Sequence, residues 1–510
     1  PACGSGHFLL SAARCIAQRL AELRQEKNPD ETKGELHYRH ALRDVITSCV
    51  YGVDLNPMAV ELARTALWLE GYEPGKPLGF LDHHIKCGNS LTGVFDMGVL
   101  ENGIPDAAYS VLSGDDKKTC SVLKTLNRDS KLEKVTDNFE FDFGHNTMDS
   151  LDEYSKLIVR LGFMSNETIE EVEAKEKRYH ELLKSKDYLK RKTACDLYTA
   201  SFFAQKNENT KSIVPLSTDI RAALQEGTEP YGKEGTRSFA VQIAQENRFF
   251  HWPLEFPEIF QKNLGFDCVL GNPPWDRVKL QEKEFFAQKL PPIAEAANKS
   301  IRDKLIEALC TGDDYEKELY KDFQKACRNA EAVSSFVHFK DFEDCRFPLT
   351  GTGDVNLYAL FAELIVNLRS VHGTAGFIVP SGIATDDGTK FYFEKIATGG
   401  ILKSLYDFEN KEGIFPNVHR SFKFCLITLA PKEGLSDFAF FLLNTKELDD
   451  QRRHFTMSAE DFDLINPNTH TCPVFRSKKD AELTKQMYKK AGVFINEKDT
   501  KNGNPWNISF

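Results

Sequence analysis

The sequence predicts an α/β fold in which a mixed, mostly parallel sheet carries helices on both faces. One pattern, seen in three parts of the chain, supports this prediction. Short apolar runs typical of strands occur together with helical patterns in residues 1–92, at 266–275 and again after 355. The stretches between these segments are polar and heterogeneous. We therefore expect one α/β core that is interrupted by two large, mainly helical insertions.

The first 92 residues supply the first elements of this core. Residues 7–25 place apolar side chains at helical spacing, and residues 50–55 form a short apolar run typical of a buried parallel strand. Residues 57–69 predict a helix with proline in its favoured first turn. Residues 85–91 contain a further strand end. Together they give the strand–helix alternation of a doubly wound sheet.

The later elements follow from the same patterns. In the first insertion, residues 174–192 hold eight Lys/Arg and three Asp/Glu and predict one long exposed helix, with either a solvated or a phosphate-contacting face. Residues 194–204 are apolar enough to pack on a core. The remaining predictions are strands at 266–275, 374–382, 401–408, 421–429 and after 436, and helices at 355–371, 388–398 and 476–491.

Composition excludes several classes of protein. The 510 residues are 41% hydrophobic and 28% charged, as in an ordinary globular protein, and the net charge is −11. This charge argues against a nucleic-acid binder that is basic all over, but it allows a local basic face. No apolar run predicts a membrane span, and no secretory leader is visible.

The cysteines and the first residue predict two further properties of the chain. The 12 cysteines lack metal-ligand spacing, so we expect no metal site and a cytoplasmic protein with reduced thiols. The chain opens on Pro1 inside a motif rather than on methionine. We therefore expect it to be a slice of a longer protein.

The chain opens on a glycine-containing loop. Glycines allow a sharp turn and a helix follows at once, so backbone N–H groups and the helix N-terminus face a ligand with anionic or carboxylate character. A plain turn explains such a motif when it stands alone. No Gly-Lys-Ser/Thr follows, and the third glycine of dinucleotide-binding loops is missing. The loop consists of Pro1, Ala2, Cys3, Gly4, Ser5 and Gly6.

Two polar residues follow the first predicted strands. Asp54 ends the strand at 50–55, where a carboxylate can accept both hydroxyls of a ribose. Alternatively it is a helix N-cap, a role for which Asn56 competes. The glycine loop favours a nucleoside-containing cofactor. Asn89 follows residues 85–88 and can accept from an adenine amino group, although asparagine is also common in turns.

A stiff, acceptor-rich loop ends the strand that begins at residue 266. In Asn272-Pro273-Pro274-Trp275 the prolines remove backbone donors, which leaves the Asn272 side-chain carbonyl and the Pro273 backbone carbonyl without local donors. Trp275 adds a flat apolar face. The loop therefore predicts a site for a planar group that bears an NH₂. A buried turn with a packing tryptophan is the alternative.

These motifs, in this order, resemble those of the amino-methylating DNA methyltransferases. More narrowly, the chain resembles the long N6-adenine methyltransferases of type IIG restriction-modification and of the phage-defence systems BREX and DISARM. The likeness covers residues 1–92, 264–280 and 355–430. Its motifs are P-A-C-G-S-G-H-F-L, Y-G-V-D-L-N-P-M-A-V-E-L-A, K-C-G-N-S-L and N-P-P-W.

The resemblance implies a Rossmann-like S-adenosylmethionine-dependent methyltransferase fold. Its mixed sheet would have seven strands, the first of them lying before Pro1. The implied domains are the cofactor-binding half of the core (1–92), a helical insertion (93–250), the core strand with the catalytic loop (251–275), a second insertion (276–353), the C-terminal half of the core (354–435) and an extension toward a target-recognition domain (436–510).

The resemblance also assigns roles to the residues of the motifs. Residues 1–6 would hold the methionine part of S-adenosyl-L-methionine, Asp54 its ribose hydroxyls, Leu55 its adenine ring and Asn89 the adenine amino group. Asn89 is a departure, since this position is often Asp in the family. The implied catalytic residues are Asn272, Pro273, Pro274 and Trp275, with Phe422 as a second stacking partner of the target base.

The implied activity is site-specific methylation of adenine N6 after the base has been flipped out of the duplex. The implied partners are double-stranded DNA, contacted by the basic stretches 174–192 and 476–501, and other defence-system subunits, with no membrane. Two alternatives stay open: the same chemistry on a protein glutamine or RNA, and a non-catalytic DNA-binding subunit. Cytosine C5 methylation would need a Pro-Cys nucleophile, and the chain has no Pro-Cys dipeptide.

Overall fold

Two compact units make up the part of the chain that the computed structural model describes. One unit comprises Pro1–Lys86, Glu258–Trp275 and Phe347–Phe510, and the other comprises Cys87–Pro257 and Asp276–Arg346. The domain boundaries implied by the resemblance stay predictions. The described residues are 1–27, 34–132, 153–225, 234–260, 264–338, 346–353, 355–431, 434–499 and 502–508.

The described strands all belong to the first unit, apart from the last residue of β2. They are β1 (Gly52–Asp54), β2 (Ile85–Cys87), β3 (Phe266–Gly271), β4 (Arg369–Pro380), β5 (Leu402–Glu409), β6 (Lys423–Leu429), β7 (Ser436–Leu442) and β8 (Phe455–Met457).

The helices α4–α11 and α13–α16 belong to the second unit. In chain order the described helices are α1 (His7–Lys27), α2 (Gly34–Ser48), α3 (Pro57–Glu70), α4 (Val99–Asn102), α5 (Lys117–Leu132), α6 (Glu153–Gly162), α7 (Ile169–Leu183), α8 (Lys186–Phe203), α9 (Ser217–Gln225), α10 (Thr236–Asn247), α11 (Trp252–Glu255), α12 (Pro257–Phe260), α13 (Glu282–Ala287), α14 (Pro291–Ala294), α15 (Lys299–Ala308), α16 (Asp314–His338), α17 (Leu357–Leu368), α18 (Gly382–Thr385), α19 (Lys390–Thr398), α20 (Ala459–Ile465) and α21 (Lys478–Ala491).

The larger sheet has six strands in the order β3-β4-β6-β5-β7-β8. β3 pairs with β4 and β5 pairs with β7 in parallel, whereas β6 is antiparallel to both β4 and β5. β3, β4, β5 and β7 therefore point the same way. Their carboxyl ends meet the beginning of β6 at one edge of the sheet, which we call the carboxyl edge.

The predicted α/β class and mixed sheet are confirmed, but the described residues do not form one sheet of seven strands. β1 and β2 pair with each other in a two-stranded sheet. Tyr51, just before β1, packs edge-on against Phe266 at the start of β3, with ring centroids 5.5 Å apart. The larger sheet instead gains β7 and β8 from the segment expected to be an extension, because the apolar side chains of β7 are buried beside β5.

The predicted single helix at 174–192 is wrong, because the chain forms two helices there. α7 ends at Leu183, and Ser185 caps α8 by accepting the Tyr188 N–H at 3.3 Å. The apolar end of α8 is buried, as its composition predicts. Among the described helices, none combines the length and hydropathy that a membrane span requires.

Candidate active site

The glycine loop (residues 1–6) is fastened to the end of β1. The Cys3 N–H donates to the Val53 carbonyl at 3.0 Å, and the Gly4 N–H donates to Asp54 Oδ2 at 2.8 Å. Gly4 and Gly6 have φ angles of +54° and +87°, in the left-handed region that favours glycine. The loop therefore turns sharply, and α1 begins directly after it.

Asp54 joins this loop to the beginning of α3. While its Oδ2 accepts from Gly4, its Oδ1 accepts the Asn56 N–H at 2.9 Å. Asn56 itself is the N-cap of α3, because its Oδ1 accepts the Met58 N–H at 3.0 Å. The alternative in which Asp54 caps the helix is thus removed. A carboxylate has about four acceptor positions, so Asp54 keeps two for other donors.

Close packing fixes the loop on one side and leaves it open on the other. A Cβ at Gly6 would lie 3.2 Å from Ala63 of α3, and one at Gly52 would lie 2.8 Å from Leu9 of α1. A Cβ at Gly4 would meet no atom within 4 Å among the described residues. The loop therefore has free space beside Gly4, where a ligand can approach the backbone.

The other residues of this region differ in their surroundings. Pro1, Ala2 and Ser5 are half-buried, and the Ser5 Oγ lies 3.0 Å from His7 Nδ1. Burial raises the pKa of the Cys3 thiol to about 11, so this side chain is a neutral packing group. Leu55 is 51% exposed and presents apolar surface just after Asp54.

Asn89 belongs to the second unit, where it lies in a turn. Its N–H donates to the Arg248 carbonyl at 2.7 Å, and its Oδ1 accepts the Leu91 N–H at 3.2 Å. The turn role named as the alternative is therefore present. The Oδ1 atom retains a second acceptor position, so a ligand role is compatible with it.

Two buried residues that the sequence did not indicate hold the segment after Asn89. The Val94 N–H donates to His251 Nδ1 at 3.0 Å, so the ring proton lies on Nε2, which is 3.0 Å from Asp196 Oδ1. Both side chains are almost fully buried. No sequence motif links positions so far apart, and only the fold brings them together.

The Asn-Pro-Pro-Trp loop (residues 272–275) carries an orphaned acceptor at the end of β3. The Oδ1 atom of Asn272 is buried and has no hydrogen-bond partner among the described residues. Leaving a buried polar atom unpaired costs about 1–3 kcal/mol. Pro273 is buried and Pro274 half-buried, and neither has an N–H to donate. The loop therefore presents an acceptor that needs a donor from outside the described chain.

Trp275 is half-buried in an aromatic cluster at the carboxyl edge. Its ring stacks on Phe422 with centroids 5.5 Å apart and planes 12° apart, and it meets Phe415 edge-on at 5.8 Å. The indole N–H lies 3.4 Å from the Ile378 carbonyl. Trp275 therefore has the packing role named as the alternative, in addition to any contact with a ligand. The sequence did not indicate Phe415.

Phe422 lies one residue before β6 rather than on the predicted strand, and it is 40% exposed. A base inserted between two rings needs about 7 Å between them, twice the optimal contact distance. At 5.5 Å, Trp275 and Phe422 contact each other directly. A base can therefore stack on an outer face of this pair, or enter between the rings only after they separate.

The α/β core carries polar loops at the ends of its strands, and its sequence matches a known family. The model of the Eco57I restriction-modification methylase family matches residues 48–336, which is more than half of the chain. The chain belongs to the Eco57I restriction-modification methylase family. The predicted resemblance to restriction-modification methyltransferases is confirmed.

A curated relative comes from Methanocaldococcus jannaschii. It is RM.MjaORFECS2P, assigned as a type II restriction enzyme and methyltransferase, and is 27% identical over 314 residues. The alignment covers 57% of this chain and 23% of the relative. The chain thus spans about a quarter of the length of the curated relative that it matches.

Solved structures give only distant matches. A modification subunit assigned to a type I restriction enzyme from Vibrio vulnificus is 10% identical, with a TM-score of 0.20 and coverage of 91% of this chain and 94% of that chain. The methyltransferase subunit of a type I restriction-modification system from Streptococcus thermophilus is 10% identical, with a TM-score of 0.25 and coverage of 92% and 94%. At such TM-scores neither match carries an argument.

Proposed function

We propose that this chain is the core of a site-specific DNA methyltransferase in a restriction-modification or phage-defence system. It transfers a methyl group from S-adenosyl-L-methionine to N6 of a flipped adenine. Membership of the methylase family supports DNA methylation. The observation that carries the choice of an amino group is the buried, unpaired Oδ1 of Asn272, because an amide oxygen can accept a hydrogen bond from an NH₂.

Residues in the first part of the chain fit S-adenosyl-L-methionine. Residues 1–6 offer a turn with free space beside Gly4, Asp54 keeps acceptor positions for ribose hydroxyls, and Leu55 presents exposed apolar surface for a ring. Asn89 is the proposed partner of the adenine amino group of the cofactor. When bound, the cofactor supplies a methyl group activated by the positive charge on sulfur.

At the target base, the Asn-Pro-Pro-Trp loop acts by orientation. The N6 lone pair of adenine is delocalised into the ring and is therefore a poor nucleophile. Hydrogen bonds from the amino group to Asn272 Oδ1 and to the Pro273 carbonyl favour a tetrahedral nitrogen, and they satisfy an acceptor that is otherwise buried without a partner. Catalysis then rests on positioning and electrostatics rather than on a covalent enzyme intermediate.

Stacking compensates for part of the cost of extruding the base. Flipping costs a few kcal/mol, and a base that stacks on the Trp275 and Phe422 pair regains part of it. Double-stranded DNA is the proposed substrate. Other subunits of the same defence system are proposed partners.

Methyl transfer from labelled cofactor to duplex DNA by the full-length protein, followed by nucleoside analysis, tests the proposal. We expect the label in N6-methyladenine. Asn272→Ala should lower kcat by about 10²–10³, as loss of an oriented polar group does in other enzymes. It should leave the unfolding temperature unchanged or raised, because it removes an unpaired buried acceptor. Asn209→Ala is the matched control, since Asn209 is exposed.

The outcomes distinguish the alternatives. Unchanged methylation by Asn272→Ala would contradict the role given to the loop. Label in a protein glutamine or in RNA would replace DNA as the substrate. DNA binding without any transfer by the wild type would identify a non-catalytic DNA-binding subunit.

A further inference from the structure

The segment that follows α10 is bonded to the turn that contains Asn89. We call this segment, residues 248–252, the clasp. Arg248 ends α10 with a φ of +53°, in the left-handed region common at helix ends. Its carbonyl accepts the Asn89 N–H at 2.7 Å, and the Phe250 N–H donates to the Thr92 carbonyl at 2.9 Å. Backbone hydrogen bonds therefore join the clasp to the turn within the second unit.

Two buried side chains of the clasp add hydrogen bonds to the same turn. The Trp252 indole N–H donates to the Ser90 carbonyl at 3.1 Å, and His251 Nδ1 accepts the Val94 N–H at 3.0 Å. Both side chains are almost fully buried. The clasp therefore holds the turn (residues 89–94) at both of its ends.

Two glycines allow the turn and the clasp to approach closely. A Cβ at Gly88 would lie 2.4 Å from the Phe250 ring, and one at Gly93 would lie 2.2 Å from the Phe250 carbonyl oxygen. Gly93 also has a φ of +142°, which side chains rarely permit. Any larger residue at either position would displace the clasp. The path of the backbone on both sides of Asn89 is thus set by close packing.

His251 links this turn to α8 with a defined placement of its proton. Because a backbone N–H can only donate, Nδ1 of His251 must be the acceptor from Val94, and the ring proton lies on Nε2. Nε2 donates to Asp196 Oδ1 at 3.0 Å, while Asp196 Oδ2 is 2.6 Å from Lys192 Nζ. The imidazole is therefore fixed from both sides.

We propose that His251 is a positioning residue for the cofactor, which acts by aiming the Asn89 amide. Asn89 Oδ1 accepts the Leu91 N–H at 3.2 Å, and its backbone carbonyl accepts the Thr92 N–H at 3.1 Å. The direction of the amide therefore depends on the path of the turn, which the Val94 bond closes. This inference rests on the proposed function, in which Asn89 accepts from the adenine amino group of the cofactor.

Two substitutions separate the hydrogen bonds of His251. The amide oxygen of asparagine is as many bonds from Cβ as Nδ1, so His251→Asn keeps an acceptor for the Val94 N–H. The amide nitrogen of glutamine is as many bonds from Cβ as Nε2, so His251→Gln keeps the donor to Asp196 but loses that acceptor. Both variants lose a buried hydrogen bond, and both should unfold at a lower temperature than the wild type.

The readout is the affinity of the full-length protein for two ligands, measured by calorimetric titration. They are S-adenosyl-L-homocysteine and its analogue with hydrogen in place of the adenine amino group. The wild type and His251→Asn should prefer the first ligand by about tenfold, the scale of a buried hydrogen bond. His251→Gln should bind the two ligands alike, because Asn89 no longer faces the amino group. A merely structural role would weaken the binding of both ligands equally.

A second variant and a control accompany these two. Trp252→Phe keeps an aromatic ring but removes the donor to the Ser90 carbonyl, so it should reduce the same preference. It tests the clasp independently if His251→Gln does not fold. His180 is exposed on α7 of the same unit, so His180→Gln should keep the wild-type preference and unfolding temperature.

The outcomes separate the positioning role from the proposed function. A wild-type preference in both His251→Gln and Trp252→Phe would overturn the positioning role, while methylation of adenine by the wild type would leave the proposed function standing. Equal loss of preference in His251→Asn and His251→Gln would also overturn it, since the Val94 bond would not matter. A wild type that methylates adenine but binds both ligands alike would refute the Asn89 contact together with its positioning. Absence of cofactor binding by the wild type would refute the proposed function as well.

Discussion

At the scale of single residues, two side chains illustrate the cost of a buried polar atom that lacks a hydrogen-bond partner among the described residues. Asn272 Oδ1 and Lys175 Nζ are two of several such atoms. Asn272 is neutral, and its proposed partner is the amino group of the target base. Lys175 lies on the buried face of α7, where a charge is costly. Burial lowers the pKa of the Lys175 amine to about 8.

Lys175→Met should stabilise the protein. Between pH 8 and 10.5 the unfolded chain holds a proton that the folded chain has released, so this lysine makes stability rise with pH in that window, and below pH 8 its cost is constant. We expect a gain in the free energy of unfolding of about 2–3 kcal/mol at pH 7 and loss of that rise. Urea unfolding measured from pH 7 to 10.5 checks both.

The matched control for this change is Lys177→Met, an exposed position on the same helix. It should leave the stability and its pH dependence close to those of the wild type. Equal effects of the two substitutions would mean that added apolar surface, rather than removal of a buried amine, is responsible.

At the scale of elements, the N-terminus of α3 helps to position the proposed cofactor site. The N-cap Asn56 fixes the first turn of α3, and Asp54 accepts the N–H of the same residue. A helix in the second unit, α15, has an equivalent cap, since Asn298 Oδ1 accepts the Ile301 N–H at 3.0 Å. The two caps have the same chemistry, but only one adjoins the glycine loop.

Asn56→Ala should therefore differ from Asn298→Ala. Each should lose about 1 kcal/mol of stability, as N-cap deletions do. Asn56→Ala should in addition weaken cofactor binding several-fold, because fraying of α3 loosens the carboxylate of Asp54. Calorimetric titration with S-adenosyl-L-methionine, beside thermal unfolding, distinguishes them. An equal effect of both variants on cofactor affinity would refute the placement of the site at Asp54.

At the scale of the whole molecule, the net charge of −11 opposes the proposed DNA binding, which therefore has to come from local basic regions. The structure separates the two basic stretches. In residues 174–192, Lys175 is buried, and Lys192 is 2.6 Å from the carboxylate of the buried Asp196. Part of this stretch therefore has a structural role. The stretch 476–501 belongs to the same unit as the Asn-Pro-Pro-Trp loop.

Neutralising exposed lysines in each stretch should give unequal results. We expect glutamine substitutions in α21 to weaken DNA binding by an order of magnitude or more at low salt, since each phosphate contact adds to the counterion term. The same number of substitutions around α7 should have a smaller effect. Equal losses would contradict this division. The set in α21 is Lys479, Lys489 and Lys490. The set around α7 is Lys177, Lys184 and Lys186.

Local sequence patterns predicted the elements that depend on neighbouring residues. The helix after the glycine loop, the proline-initiated helix after Asn56 and the strand before Asn272 lie where spacing and capping place them. The break at Ser185 was missed, because charge periodicity continues across it while the serine side chain caps a new helix. The side chains of the proposed site were named from motifs, and their roles remain proposals.

The sequence by itself determined the α/β class, the order of the motifs and the resemblance to restriction-modification methyltransferases, since these depend on local patterns. Only the tertiary structure decided that β7 and β8 extend the larger sheet and that Trp275 already stacks on Phe422. These features join residues that are distant in the chain. Their pairing depends on which strands become neighbours, and no local periodicity encodes that choice.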